Sequence, residues 1–507
     1  MALKINVAAN YISQIYNGLI AIVVMPFYLK LLGVESYGLI AFFMLLQSWF
    51  YLLDVGLSQT LSRETVKLNN NAISFEIYNK LYKNISIIFL VLAFSLILIL
   101  SIFNHEIANS WLKISSLNIQ DVLICLQIMF FCAGLRCVGG IYRGIIQGFE
   151  KILWMSVFNI IINTLRFVVV IPVLFYYGFN IKNYFYFQMV IALFEFFVLF
   201  VFHRYLMIKI KKEDTSHFDY HQDSGYFLVV FRFAIFSGVN SILWVAISQS
   251  DKLLLSSILP LSEYAIYSVA VMLASVIYMV STPVANVLLP RLTALHTTNN
   301  IQSLEYVYSF FSQFVTVLVA VFSFTIIGNI HEIIEIWSRG QIAAEKIENI
   351  LILYLLGNVF LVINGFSYYI QYAYGDIKRH FYGCLILFFI MVPLIYIFSR
   401  QYGAVGAGAV WFSVQFLWFF TWTLFINKRF NSKYKEWMKN LIIILFSVSL
   451  GSWFINILFD LLWIFEKSIL MDVLKIMLYG IIVLSIGIFA SVDLRYFVMN
   501  KCRSYLN

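Results

Sequence analysis

The chain has 507 residues, of which 62% are apolar, 18% aromatic and only 12% charged, with a net charge of +9. So many apolar side chains cannot be sorted into one core beneath a polar surface, which excludes an ordinary soluble domain and makes lipid the solvent for most of the protein. The mean hydropathy of +0.88 agrees.

The apolar residues fall into fourteen runs of about 20 residues, each long enough to cross a bilayer as a helix. In chain order they lie near 8–31, 37–60, 80–103, 120–147, 152–175, 183–206, 228–250, 262–288, 305–328, 348–372, 379–398, 404–426, 437–459 and 472–492. Backbone groups in hydrocarbon must pair within their own segment, and the runs lack the short alternation of barrel strands. The expected fold is therefore an all-α polytopic membrane protein with about fourteen transmembrane helices. No small-residue cleavage site follows a short apolar core in the first run, so that run is expected to be a retained span.

Charge fixes the expected orientation, because cytoplasmic loops hold an excess of Lys and Arg. With fourteen spans the even loops and both tails share one side, and they carry 22 of the 34 basic residues against 8 in the odd loops. Both termini are expected in the cytoplasm. The same asymmetry accounts for the positive net charge and gives no support to a nucleic-acid partner.

One stretch, Ile210 to Tyr226, is long, charged and free of apolar periodicity, and reads as a linker at 210–227. On either side the chain resembles itself. Leu32-Gly33-Val34-Glu35-Ser36-Tyr37-Gly38 matches Leu259-Pro260-Leu261-Ser262-Glu263-Tyr264-Ala265, and Arg63 corresponds within one residue to Arg291. The organisation expected is a six-helix lobe over 1–209, a second over 228–430 related to it by pseudo-two-fold symmetry, and two further helices with a tail over 431–507.

Ionisable groups inside a membrane call for a partner or a wet cavity. Arg136, Arg166 and Glu195 come out at similar depths, roughly 15 to 20 Å from the cytoplasmic face at about 1.5 Å per residue. One reading has Glu195 pair with one arginine while the other snorkels, merely locking helices together. The other has the arginines line a hydrophilic lumen for an anion, since a guanidinium engages two phosphate oxygens together. Asn10, Gln14 and Asn17 share a helix face, and they and Asn159 and Asn163 suit either sugar binding or interhelical bonding. Asp54-Val55-Gly56, Arg63-Glu64 and Arg143-Gly144 combine charge with glycine near the cytoplasmic mouth; Glu64, Lys67 and Glu150 read as ordinary loop charges. Gln249 to Lys252 and Asp376 to Arg379 read as turns. Trp111, Trp337, Tyr402 and Trp437 stand at span ends and read as interfacial anchors. The five cysteines form no C-x-x-C pair, and Cys125, Cys132, Cys137 and Cys384 read as small buried residues.

No phosphate-binding loop motif and no metal-ligand spacing occurs in the sequence, so no cofactor is expected. The longest outer loop, of about twenty residues between the ninth and tenth spans, is too short for a folded catalytic domain, which disfavours an enzyme.

Pro26-Phe27-Tyr28-Leu29, Leu32-Gly33, Tyr37-Gly38, Leu53-Asp54-Val55-Gly56-Leu57 and Arg63-Glu64 together resemble the opening signature of the O-antigen flippases. These are polysaccharide transporters of the multidrug/oligosaccharidyl-lipid/polysaccharide exporter superfamily. The sequence departs from the pattern at Pro260, where the second repeat replaces glycine, and in its last two spans. The resemblance implies a bacterial inner-membrane flippase that carries an undecaprenyl-diphosphate-linked oligosaccharide to the periplasmic leaflet, associated with the polysaccharide polymerase machinery. It further implies that Arg136 and Arg166 hold the diphosphate and Arg63 and Arg232 attract it, with Asn10, Gln14 and Asn17 on the sugars and Glu195 or Asp54 coupling the cycle to an ion. A drug or cation antiporter, a lipid II flippase and a membrane glycan polymerase remain as alternatives.

Overall fold

A segment that meets lipid must satisfy its own backbone, and helices do so along their whole length. The computed structural model describes the backbone of residues 2–50, 56–213, 223–462 and 468–506, and side chains for 9–50, 56–211, 238–462 and 468–500 except Asn240 and Val280. Among the described residues there is no strand, only an isolated bridge between Lys113 and Pro260. The first helices are α1 (Ala2–Leu32), α2 (Val34–Phe50), α3 (Leu57–Asn69), α4 (Phe75–Ile102), α5 (Asn104–Glu106), α6 (Ile119–Gly148), α7 (Ile152–Thr164), α8 (Val170–Tyr177), α9 (Ile181–Glu213) and α10 (Asp223–Ile258). There follow α11 (Leu261–Ala274), α12 (Ile277–Thr297), α13 (Ile301–Gly328), α14 (Ile330–Ser338), α15 (Ala344–Ala373), α16 (Ile377–Trp418), α17 (Leu424–Phe430), α18 (Tyr434–Leu462), α19 (Ile469–Ala490) and α20 (Val492–Leu506). Wider π turns occupy Ile107–Trp111, Leu165–Val169 and Phe419–Thr423.

Among the described residues the predicted spans fall on helix except for breaks in the second and eighth, and 11 helical segments are long and apolar enough to cross a membrane. One of these, Ile377–Phe430, runs for 54 residues and holds two predicted spans. They separate at Gly403, whose φ of 59° and ψ of −138° form a backbone conformation that residues with a Cβ avoid. The protein is thus a polytopic helical membrane protein. Its exposed faces agree: Ile87, Leu90, Val91, Phe94 and Leu98 form an apolar stripe along α4 that water would not tolerate.

Three local features differ from the sequence expectation. The second predicted span carries a left-handed Gly56, at φ 71°, immediately before α3; residues 51–55, Asp54 among them, lie outside the described residues. The eighth predicted span breaks between α11 and α12, where Asn358 Nδ2 donates to the freed Ala274 carbonyl at 3.0 Å. The loop after the ninth span contains α14. Trp437 is also corrected: it is buried and donates to Ser312 Oγ at 2.7 Å, so it holds α18 to α13 instead of anchoring at the lipid interface. The four cysteines with described side chains are buried, as expected of small apolar residues.

The chain forms two compact units, Met1–Ala265 and Ile266–Asn507. In the first, α6 is the central helix, packed by α3, α4 and α9 around Leu61, Tyr78, Phe89, Ile141, Ile145 and Leu199. Glycine permits this closeness: a Cβ on Gly144 would stand 2.4 Å from the Ser58 carbonyl oxygen of α3. In the second unit α13 is wrapped by α12, α15, α18 and α19, so the last two predicted spans pack directly on it.

The matching heptapeptides do the same local job. Gly33 and Pro260 each stand immediately before a helix, their carbonyls accepting from Tyr37 N at 3.1 Å and Tyr264 N at 2.9 Å. Proline is tolerated at the second site because its missing N–H is one the helix start does not use.

Candidate functional site

The first unit brings three arginines onto one carboxylate. Arg136 and Arg143 lie seven residues apart on α6, two turns along the same face. Glu195 faces them from α9, bonded to Arg143 through Oε1 and to Arg166 through Oε2, with Arg136 Nε 3.7 Å from Oε2. A carboxylate offers about four lone-pair sites, so one Glu can serve three donors. Neighbouring side chains fix the guanidiniums. Arg143 donates to Asn159 Oδ1 at 2.6 Å, and Arg136 lies over the Phe43 ring at 5.3 Å.

Arg166 reaches Glu195 from the π turn Leu165–Val169, which interrupts an otherwise continuous helical run from α7 into α8. Such a turn widens the helix, changes the direction of its side chains and leaves carbonyls that need other partners. Those partners are present: Gln188 Nε2 donates to the Arg166 carbonyl at 3.0 Å, and Tyr28 hydroxyl to the Phe167 carbonyl at 2.7 Å. Helices α1 and α9 therefore hold the distortion that places Arg166.

Three guanidiniums against one carboxylate leave two net positive charges. Glu195 and Arg136 are buried, whereas the side chains of Arg166 and Arg143 keep 15% and 23% of their surface exposed. Arg166 Nε has no hydrogen-bond partner among the described residues. The cluster thus carries an excess of positive charge within apolar helices, and its two partly exposed guanidiniums, Arg143 and Arg166, are groups of a kind that can engage an anion with several oxygens.

The structure brings together Arg136, Arg166 and Glu195, which the sequence places at similar depths, and joins Asn159 to them through Arg143. Arg143 is the addition, a charge near the end of the fourth predicted span whose seven-residue spacing from Arg136 is the signal in the sequence. Asn10 and Gln14 are exposed on α1, and Asn17 is half-buried with Nδ2 on Ser13 Oγ at 3.3 Å. Ser13 in turn donates to the Ser156 carbonyl at 3.2 Å, joining α1 to α7. Arg63 is exposed on α3 and pairs with Glu64 at 2.8 Å. Glu64 is corrected from a loop charge to a fully buried carboxylate that also takes Lys67 at 2.9 Å. The side chain of Arg232 lies outside the described residues, as Asp54 does. Gln249 to Lys252 form no turn but part of α10, where Asp251 is buried and Lys252 Nζ donates to Gln249 at 2.9 Å.

Residues 3–296 match the family described as "Polysaccharide biosynthesis protein". No curated protein matches the chain in sequence. Among solved structures, the lipid II flippase MurJ in an inward closed conformation is similar over 95% of this chain and 97% of its own, with a TM-score of 0.69 and 19% identity. An inward-facing multidrug resistance MATE family transporter of the MOP superfamily is similar over 84% of this chain and 99% of its own, with a TM-score of 0.60 and 15% identity. A MATE transporter from Vibrio cholerae, VcmN, covers 85% of this chain and 98% of its own at a TM-score of 0.56 and 13% identity. At these identities the likeness is one of fold.

Proposed function

Because a match over residues 3–296 takes in more than half of the chain, the protein belongs to the polysaccharide biosynthesis protein family, and we propose that it is a flippase for lipid-linked oligosaccharides. Its substrate in this reading is an undecaprenyl-diphosphate-linked O-antigen or similar repeat unit, moved from the cytoplasmic to the periplasmic leaflet of the bacterial inner membrane by alternating access of two six-helix halves. A diphosphate bearing sugars is prohibitively unfavourable in hydrocarbon, while its polyprenyl tail is at home there. The protein has only to shield the headgroup; no bond is made or broken, and the reading is of a transporter and not an enzyme.

The observation that carries the proposal is the net positive cluster of Arg136, Arg143 and Arg166 on Glu195 inside the membrane region. A drug or cation antiporter calls for the opposite sign. Exposed Asn10 and Gln14 support the reading as well, since polar side chains on a spanning helix belong against water or substrate and not lipid tails. Arg63 and Arg232 attract the diphosphate on the cytoplasmic side, and Glu195 or Asp54 couples the cycle to an ion. Association with the polysaccharide polymerase follows from handing over the product.

The test is complementation of a strain lacking the gene, with protein level held constant. Arg136→Ala and Arg166→Ala are expected to abolish surface polysaccharide, and full polysaccharide from the double variant overturns the proposal. Two outcomes identify a different substrate or role. Loss of viability on deletion indicates lipid II, and retention of single-repeat material on the surface indicates a polymerase.

A further inference from the structure

Between α4 and α6 the chain forms a strap, residues 103–118, which makes polar contacts within the first unit at two places outside its own neighbouring helices. One is the start of α2. The Glu35 carboxylate, buried in the first turn of that helix, accepts the backbone N–H of Ser115 at 2.5 Å and of Ser116 at 2.8 Å, and also the Ser116 hydroxyl. The other is the turn from α10 to α11. Trp111 Nε1 donates to Ser256 Oγ at 3.0 Å, Lys113 Nζ to the Ile258 carbonyl at 2.6 Å, and the Lys113 carbonyl accepts from Leu261 N at 3.0 Å. Helix α2 meets the same turn directly, for a Cβ on Gly38 would stand 2.3 Å from the Leu261 carbonyl oxygen.

The first grip falls within the first copy of the internal repeat, 32–38, and the second on the second copy, 259–265, at Leu261 and on the residues just before it, Ser256 and Ile258. The grips also join the first, third and seventh loops, all on the side opposite the basic, cytoplasmic loops. We infer that the strap is a latch on the non-cytoplasmic end of the transport path, with Glu35 as its catch and Lys113 as its second fastening. The inference rests on the flippase reading for its purpose, but not for its test. An outward opening parts the starts of the two repeats, and these are the bonds that then break. Hydrogen bonds to a charged group are the stronger kind, so a carboxylate gripping three donors favours the closed state by a large factor. Latch strength then sets how much of the population is open before substrate arrives.

The experiment uses the purified full-length protein in detergent, with Ser256→Cys as reporter. Ser256 is buried beneath Trp111, so its modification by a bulky hydrophilic maleimide follows the lifting of the strap. Glu35→Gln and Lys113→Met are each expected to speed labelling at least about tenfold over the reporter alone. Lys182→Met, which removes an ion pair of 3.0 Å with Asp121 elsewhere in the same unit, is expected to leave the rate unchanged. Unchanged labelling in both latch variants overturns the inference, as does an equal rise in all three, which marks general loosening. No substrate is present, so failure here is distinct from failure of the complementation test.

Discussion

Glu195 is the residue on which the candidate site turns. Three guanidiniums converge on it, and the low dielectric around them makes the charge count decisive. Glu195→Gln removes the counter-charge and leaves all three cations; breaking a buried pair in this way costs about 3–5 kcal/mol. Arg143→Met leaves two cations on the carboxylate and costs less. Thermal unfolding of the purified variants is expected to rank wild type above Arg143→Met and that above Glu195→Gln. A Glu195→Gln protein as stable as wild type shows the cluster to be relaxed by solvent. The sequence made Arg136, Arg166 and Glu195 legible because lone charges in apolar runs stand out. Arg143 was hidden by its position beside a loop, where a charge is unremarkable. Glu64 was hidden likewise, since no periodicity distinguishes a buried carboxylate from a solvated one.

At the scale of elements, apolar run length was enough to show a polytopic helical protein and to put the predicted spans largely on helix among the described residues, because hydrocarbon thickness dictates helix length. The interruptions were less visible. The π turn that places Arg166 follows from contacts with Gln188 and Tyr28, which lie far away in sequence, and the α11–α12 break depends on Asn358. Tertiary partners decide both. The glycines of α6 show how spacing becomes packing. At Gly144 an added methyl meets backbone, the Ser58 carbonyl oxygen, whereas at Gly139 its nearest neighbour is Leu199 Cδ1 at 3.6 Å. Alanine favours a helix over glycine by about 1 kcal/mol, and overpacking costs about 1–3 kcal/mol. Gly139→Ala is therefore expected to be neutral or stabilising and Gly144→Ala destabilising, measured as folded yield and unfolding temperature in detergent. Equal behaviour of the two refutes close α3–α6 contact as the reason for glycine there.

For the whole molecule, the composition that excluded a soluble fold also limits how recognition can work. With only 12% of residues charged, few charges are available inside the apolar spans, and in the flippase reading selectivity for a charged headgroup rests on a few guanidiniums in a poorly screened setting. Polyprenyl diphosphate, polyprenyl monophosphate and the neutral polyprenol share a tail and differ in headgroup charge, so they separate this contribution from lipid partitioning. A ligand that binds only the folded protein stabilises it by about 2.7 kcal/mol at a hundred times its Kd. The diphosphate is expected to raise the unfolding temperature of the full chain most, the monophosphate less and the alcohol not at all. The increment should shrink in the Arg136→Ala and Arg166→Ala proteins. It should persist partly in high salt, because buried pairs are screened less than exposed ones. Equal stabilisation by the diphosphate and the alcohol leaves the tail as the recognised feature and removes the arginine cluster from substrate binding.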